Sequence, residues 1–298
     1  MREPSSLKSL ATAQQHHQAD RLEEAEALYR KILAQQPGHT DALCFLGLLK
    51  HQQGHPENAL ELIGKAIAGN PKIAHYYCNL ALVLTGQAKH SDAVRAYRRA
   101  LKLQPGLSEA WYNLGILHRK QGDIPEATAA FRKVIRLNPK FFPAQNSLGN
   151  ALKDQGNIKE AITCYQRAIT LKPDYTHAWK NLALAQSACG EHPSALLSYR
   201  KLVDIQPRSA EAWLNLGMAS ANTDAPDEAI AAYQQAVILD PNHLKAQTLL
   251  GQLLQRQGDN AAAIDAYREV LRLNPDSIDT LANLSNLLER TCQFNEAR

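Results

Sequence analysis

Asparagine is the residue type in this chain whose spacing points most directly to chemistry. It recurs at intervals of 34 residues, or twice that, at Asn79, Asn113, Asn181, Asn215 and Asn283. A side-chain amide donates and accepts at once, so it can pair with both polar groups of a passing peptide unit without reading its side chain. The pattern predicts a row of amides that binds extended polypeptide. The alternative is that these amides are solvated or bond to the adjacent repeat.

The row has three interruptions, at Phe45, Ser147 and Leu249. Asn146 and Asn150 lie one residue before and three residues after Ser147. We expect these two asparagines to keep amides on that stretch of the surface. The predicted peptide-binding set therefore has seven members, which are Asn79, Asn113, Asn146, Asn150, Asn181, Asn215 and Asn283.

Metal and thiol chemistry have weaker support in the sequence. His51 and His55 are four residues apart, but they straddle the predicted end of a helix and no HExxH motif or third ligand accompanies them. The five cysteines form no CxxC pair, which favours a reducing compartment over a disulfide scaffold. Cys44 and Cys78 occupy equivalent places in adjacent repeats, so we expect their Cα atoms to lie beyond the disulfide limit of roughly 7 Å. We predict no metal and no cofactor.

Catalytic and membrane signatures are also missing from the sequence. It contains no GxSxG elbow, phosphate-binding loop or dinucleotide fingerprint, so we predict that residues 1–298 are not an enzyme. The N-terminus lacks the apolar run of a signal peptide, and no stretch approaches 18 apolar residues. We therefore expect a cytoplasmic protein that has no membrane partner.

Basic residues recur in pairs late in the predicted second helices, at Arg30–Lys31, Arg98–Arg99, Arg132–Lys133 and Arg200–Lys201. Cations are favoured near helix C-termini by the helix dipole, and their long stems cover apolar surface. The aromatic residues that could stack on bases occupy predicted core positions instead. We read these pairs as a solvated outer face and predict no nucleic-acid partner.

The elements that must position these residues follow from eight prolines spaced 34 residues apart, which we call the ladder prolines. They are Pro37, Pro71, Pro105, Pro139, Pro173, Pro207, Pro241 and Pro275. Self-similarity at this period is the signature of a solenoid. When residue 40 is counted as position 1, alanine fills position 20 in all nine repeats that reach it, and position 24 is aromatic in seven of eight. The asparagine row is then position 6.

Each repeat has the periodicity of two helices. In residues 108–141, Trp111, Leu114 and Leu117 recur at helical spacing, and Ala127, Ala130 and Phe131 do so again. Glycine at position 15, as in Gly122, predicts a left-handed end to the first helix. Small residues at positions 8 and 20 predict that the two helices, each of roughly 13 residues, approach closely.

Residues 1–39 read as a degenerate N-terminal capping repeat, residues 40–277 as seven full repeats and residues 278–298 as a truncated further repeat. We expect the chain to be a piece of a longer protein.

At 111–115 and 213–217 the pattern W-x-x-L-G, with Ala127 and Ala229, aromatics at 131 and 233 and the prolines that follow, resembles the tetratricopeptide repeat (TPR). The resemblance implies an all-α, right-handed superhelical solenoid of antiparallel helix pairs, with first helices lining a concave groove. It also implies a scaffold that binds protein or peptide ligands in that groove.

A finer resemblance concerns the asparagine row and residues 16–43. The superhelical arm of the O-GlcNAc transferases uses an asparagine row to hold substrate polypeptide, and residues 16–43 are similar to the start of bacterial proteins in which such repeats precede a glycosyltransferase or sulfotransferase domain. The resemblance implies the substrate-recruiting arm of a larger protein O-glycosyltransferase.

The alternative is a free-standing assembly scaffold or co-chaperone-like adaptor that docks folded partners. No repeat has the Lys at position 5 and Asn at position 9 of the chaperone-type carboxylate clamp. A homodimer through the outer face also stays open.

Overall fold

The computed structural model describes the backbone of residues 3–296 and the side chains of residues 8–290. Within this range it contains seventeen α-helices and no strands. The first helices of successive repeats are α1 (Glu3–Gln18), α3 (Thr40–Gln52), α5 (Ala74–Gly86), α7 (Ser108–Gln121), α9 (Phe142–Asp154), α11 (Thr176–Ala188), α13 (Ala210–Ala221), α15 (Leu244–Gln257) and α17 (Ile278–Glu296). The second helices are α2 (Leu22–Gln35), α4 (Pro56–Gly69), α6 (His90–Leu103), α8 (Ile124–Leu137), α10 (Ile158–Leu171), α12 (His192–Ile205), α14 (Pro226–Leu239) and α16 (Asn260–Leu273). The predicted all-α array of helix pairs is confirmed.

The second helices keep one phase throughout. Each has 14 residues and ends two residues before a ladder proline, as α8 ends at Leu137 before Pro139. Proline has no N–H to donate and disfavours the helical conformation in the residue before it, so it stops the helix at the same place in every repeat.

The turn inside each helix pair depends on a left-handed residue at position 15. The five glycines there, Gly54, Gly122, Gly156, Gly190 and Gly258, have φ between 76° and 86°. Asp20, Ala88 and Asp224 adopt the same conformation with φ of 56–58°. Alanine fits this region poorly because its Cβ crowds the backbone, so Ala88 carries strain that the glycines avoid.

The core of each repeat is the seam between its two helices. The position-20 alanines within the described side chains, such as Ala127 and Ala161, are fully buried, as are most aromatic rings at position 24. A Cβ atom added to Gly217 would lie 2.5 Å from the ring of Tyr233, and one added to Gly115 would lie 2.7 Å from the ring of Phe131. The small residue at position 8 is therefore what lets the ring at position 24 fill the seam.

The last described helix differs from the expected pattern. In the other repeats the first helix ends before position 15, but α17 continues past that position to Glu296. Cys292 stands at position 15, where most other repeats have glycine or aspartate, and it gives the backbone less reason to turn. Residues 297 and 298 lie outside the described range, so the assignment of 278–298 as a truncated repeat stays a prediction.

The chain divides into two compact units, with the boundary between Ala151 and Leu152 inside α9. In the first unit, each helix pair packs on the next, and first helices also contact each other, α1 with α3 and α3 with α5. In the second unit, the pairs α11–α12, α13–α14 and α15–α16 pack in the same order.

Candidate functional site

The predicted asparagine row lies on the first helices. Positions 2, 5, 6, 9 and 12 recur at spacings of three and four residues, which places them on one side of a helix. We call this side the first-helix face, and each compact unit has its own. In the first unit it is formed by α3, α5 and α7, and in the second by α11, α13 and α15.

Two amides of the first unit, Asn79 and Asn113, are half-buried and face groups of the preceding repeat. The Asn79 Nδ2 donates to the Cys44 Sγ at 3.2 Å. The Asn113 side chain lies close to the Tyr97 hydroxyl, whose pKa is raised mainly by burial and is lowered in part by this amide. One such contact leaves each amide with a further N–H or its carbonyl oxygen available.

The two asparagines on α9 lie deeper than their spacing suggested. Asn146 is 6% exposed and Asn150 is half-buried, and both take part in interactions within the protein. Between them, the Ser147 hydroxyl lies 3.2 Å from the Tyr112 hydroxyl. At this repeat, polar groups of neighbouring helices pair with each other.

In the second unit, three polar side chains lie close to one carboxylate of the first-helix face, that of Glu211. The Asn215 side chain is 5% exposed, and its Nδ2 donates to the Glu211 Oε1 at 3.4 Å. The Lys180 Nζ lies 3.4 Å from the same oxygen, and the His243 Nε2 lies 3.9 Å from Oε2. Lys180, which would be the basic residue of a carboxylate clamp, thus already faces an acidic group. Asn181 and Asn283 are half-buried, and Asn181 has interactions within the protein.

Exposed apolar side chains accompany these amides, and they are not among the site residues predicted from the sequence. Leu82 and Ile116 are each 42% exposed, and Leu184 is 41% exposed. Each stands at position 9, three residues after an asparagine of the row, so it shares a side of the helix with that amide. The signal was present in the sequence, since Leu48 and Met218 fill the same position in two other repeats.

Phe45, which interrupts the asparagine row, helps to form a pocket on the same face. The pocket has a volume of about 220 Å³ and lies between α1 and α3, where its lining includes His17, Phe45 and Leu48. The ring of Tyr29 stacks beneath Phe45 with centroids 6.2 Å apart. An aromatic concavity therefore stands where the row would have placed an amide.

The two cysteines on this face are not activated thiols. Burial raises the pKa of the Cys44 thiol to about 11 and that of Cys78 to about 12. Both are free rather than disulfide-bonded. Near neutral pH they are protonated and react slowly, and Cys44 acts as a hydrogen-bond acceptor for Asn79.

Two kinds of structure are absent from the described part of the chain. No group of three or more His, Cys, Asp or Glu side chains among those residues is arranged to hold a metal ion. None of the described helices is both long enough and apolar enough to cross a membrane.

Family models match most of the chain. A model described as tetratricopeptide repeat matches residues 78–140, 188–243, 221–278 and 248–291, together more than half of the sequence. Two other repeat models of this kind match residues 149–188 and 16–80. A comparison with curated proteins gave no significant match.

Solved structures have the same architecture. The crystal structure of YrrB, a TPR protein with an unusual peptide-binding site, is 26% identical, covers 63% of this chain and 96% of YrrB, and has a TM-score of 0.54. A tetratricopeptide repeat protein from Parabacteroides merdae is 20% identical over 84% of this chain and 99% of that chain, with a TM-score of 0.57. MamA from Desulfovibrio magneticus RS-1 is 23% identical over 57% and 97%, with a TM-score of 0.52. The last two likenesses concern the fold alone.

Proposed function

Because this chain belongs to the tetratricopeptide repeat family, we propose that it is a non-catalytic scaffold that holds extended polypeptide along its first-helix face. The family's repeats form a scaffold suited to protein–protein interaction. The observation that supports binding of polypeptide along this face is the exposure of Leu82 and Ile116, each three residues after a half-buried asparagine. The apolar side chains give a ligand's side chains a surface to cover, and the amides give its backbone hydrogen-bond partners.

The dimensions of the helices and of an extended chain agree with this mode of binding. Packed helices lie about 8–10 Å apart, and an extended peptide covers roughly 3.3–3.6 Å per residue. Successive repeats would then meet about every third ligand residue. The pocket beside Phe45, of about 220 Å³, is large enough to take one apolar side chain. The similarity to YrrB, a TPR protein with a peptide-binding site, also supports a peptide as the ligand of this chain.

The proposal is tested by selecting random dodecapeptides on the immobilised chain and titrating the enriched peptides by fluorescence anisotropy. Replacing Leu82 and Ile116 together by aspartate should weaken at least one enriched peptide by about tenfold or more, because a charge cannot be buried under the ligand. The control replaces Leu171 and Leu197 by aspartate and so adds the same charge. These two leucines lie on second helices and are 40% and 60% exposed. Equal affinities for every enriched peptide in both variants would overturn the proposal.

The contribution of the amides is tested separately. Replacing Asn113, Asn181 and Asn215 together by alanine should weaken the same peptides several-fold, since a hydrogen bond contributes about 1 kcal/mol. Asn215 is buried against Glu211, so circular dichroism must show that the helices remain. Unchanged affinity with intact helices would remove the amides from the binding mechanism and leave the apolar contacts.

The finer role that we propose is substrate recruitment for a larger protein O-glycosyltransferase. It is supported by the position-6 asparagines and by the similarity of residues 16–43 to the start of such proteins. A coding sequence that continues beyond Arg298 into a nucleotide-sugar-binding domain is the expected result. A capping helix followed by a stop codon would instead favour a free-standing scaffold that docks folded partners.

A further inference from the structure

A second concave site lies in the first unit and uses second helices. It is a pocket of about 610 Å³ whose walls come from α6, α7 and α8, and we call it the α6–α8 pocket. We propose that this pocket binds an acidic polypeptide segment that carries a large apolar side chain between carboxylates. The proposal concerns a different surface from the first-helix face and does not depend on it.

The charge of the pocket is the first argument. Arg98 and Lys102 reach it from α6, and Lys133 and Arg136 reach it from α8. Within the described side chains, none of these four cations forms an ion pair, although Arg30 and Arg200 on other second helices do, each at 2.8 Å from a glutamate. One acidic residue, Glu126, also lines the pocket. The balance is strongly positive, which favours a ligand with several carboxylates.

The uneven distribution of charge among the repeats is the second argument. The equivalent positions between α8 and α10 still include Arg132, Arg136 and Arg167. The equivalent positions between α10 and α12 hold Gln166, Thr170, Lys201 and Asp204. Of these, the Lys201 Nζ pairs with the Asp204 Oδ2 at 3.1 Å. Repeat packing is thus achieved elsewhere without four cations, so packing does not require them between α6 and α8.

The apolar floor is the third argument. Leu101, Trp111 and Leu114 line the pocket beneath the cations. The Trp111 Nε1 donates to the Pro105 carbonyl oxygen at 3.0 Å, which fixes the indole in place. A volume near 610 Å³ lies in the range of sites that take ligands of several side chains or drug size. Cations on two walls and an apolar floor match a segment in which acidic residues flank an apolar one.

A single-stranded nucleic acid fits these observations less well. It needs a basic track several nucleotides long with successive aromatic platforms. Trp111 and His118 supply the aromatic rings that line this pocket. The basic positions extend to the next interval as Arg132, Arg136 and Arg167, but of the equivalent positions between α10 and α12 only Lys201 is basic. The short run of charge favours a short acidic segment.

The probe is a fluorescein-labelled octapeptide pool in which two or three Glu or Asp residues flank a central Leu, Phe or Trp on each side. We expect saturable binding that falls at least tenfold when Arg98 and Lys133 are both replaced by glutamate. The matched control replaces Arg167 and Arg208, two exposed cations outside the pocket, by glutamate as well. It therefore has the same net charge as the pocket variant. No binding of any pool member at about 1 mM, or equal loss in both variants, would overturn the proposal.

A second variant keeps the test independent of charge. Ala129 is exposed and lines the pocket, so Ala129→Trp should fill it and abolish peptide binding while the melting temperature stays the same. The Leu82→Asp, Ile116→Asp variant should bind the acidic pool as the wild type does, which separates this site from the first-helix face. If a labelled 20-nucleotide single-stranded DNA bound more tightly than the peptides and lost affinity in the same pocket variants, nucleic acid would replace peptide as the ligand.

Discussion

The indole Nε1 of Trp179 donates a hydrogen bond to the carbonyl oxygen of Pro173, at 2.8 Å. Trp111 and Trp213 make the same bond to Pro105 and Pro207, and the Tyr77 hydroxyl reaches the Pro71 carbonyl oxygen at 3.2 Å. The aromatic residue at position 4 therefore ties the start of a first helix to the ladder proline six residues earlier. This bond fixes the loop between one helix pair and the next.

Trp179→Phe should lower the stability of the chain by about 1 kcal/mol, because the phenylalanine keeps most of the ring packing but leaves the Pro173 carbonyl without its indole donor. Urea denaturation followed by circular dichroism measures the change. Trp213→Phe is the matched variant and should behave alike. A stability equal to that of the wild type in both variants would show that the bond contributes nothing to the loop.

Ala88→Gly should stabilise the chain by about 1 kcal/mol. Ala88 has φ of 58° and is exposed, so glycine removes the steric cost of the left-handed conformation without losing burial. Gly122→Ala is the reverse experiment at the same position, where φ is 86°, and should destabilise by a similar amount. Thermal melting measures both shifts, and shifts of the same sign would contradict the explanation.

Ala161→Leu should destabilise the chain by about 1–3 kcal/mol. Ala161 is fully buried at position 20, so three added carbon atoms must displace their neighbours in the seam of the repeat. Ala129→Leu, on an exposed side of α8, is the control and should have little effect. A melting curve of Ala161→Leu that overlays the wild type would refute the packing register.

Glu26→Gln should destabilise the chain near neutral pH, by about 1–2 kcal/mol, and the effect should fade in acid. The Lys50 ammonium, whose Nζ lies 2.8 Å from Oε2, is the main group that lowers the pKa of Glu26, with Arg30 and Gln53 contributing, to about 2. A carboxylate whose pKa is depressed on folding stabilises the protein above its unfolded pKa, and this contribution is lost as the pH falls through the folded pKa.

Urea titrations of the wild type and of Glu26→Gln at several pH values from 7 to about 2 give the difference in stability. The expected difference is constant above about pH 5, shrinks as the pH falls, and is mostly lost at about pH 2. The exposed pair of Glu61 and Lys65 supplies the control, since Glu61→Gln should leave stability nearly unchanged at every pH. A Glu26→Gln effect of equal size at pH 7 and pH 2 would show that it does not arise from this charge.

Alkylation should modify Cys189 before Cys44, Cys78 or Cys164. Cys189 is exposed, whereas burial raises the pKa of the Cys44 and Cys78 thiols to about 11 and 12. Since the thiolate is the nucleophile, those two cysteines should stay unreactive in the folded protein until the pH approaches 10 or more. Mass spectrometry of peptides after timed treatment with iodoacetamide measures the order. Rapid labelling of Cys44 at pH 8 would contradict the buried position.

The repeat could be predicted from the sequence because its strongest determinants act locally. Pro139 stops α8 whatever tertiary contacts that helix makes, because proline lacks an N–H and constrains the residue before it. Gly122 ends α7 because glycine adopts the left-handed conformation without steric cost. Ala88 shows the limit of such reasoning. Its side chain fits the left-handed region poorly, yet it adopts that conformation because the helices on both sides require the same turn as in every other repeat.

The candidate site was less accessible from the sequence, because hydrogen-bond partners 16 or 35 residues away depend on rotamers rather than on spacing. The bond from Asn79 to Cys44 and the approach of Asn113 to Tyr97 are of this kind. Leu82 was overlooked for another reason, since an apolar residue at helical spacing is ordinarily part of a core. Its exposed fraction of 42% became visible only once the neighbouring helices were in place.

The pairing of each helix mainly with those one or two places along the chain has a kinetic consequence. Contacts of this kind close short loops, so the contact order is low and folding does not have to wait for distant segments to meet. Nucleation can then begin at any well-packed pair and spread outward in both directions. A strained turn such as that at Ala88 would slow this propagation locally without blocking it elsewhere.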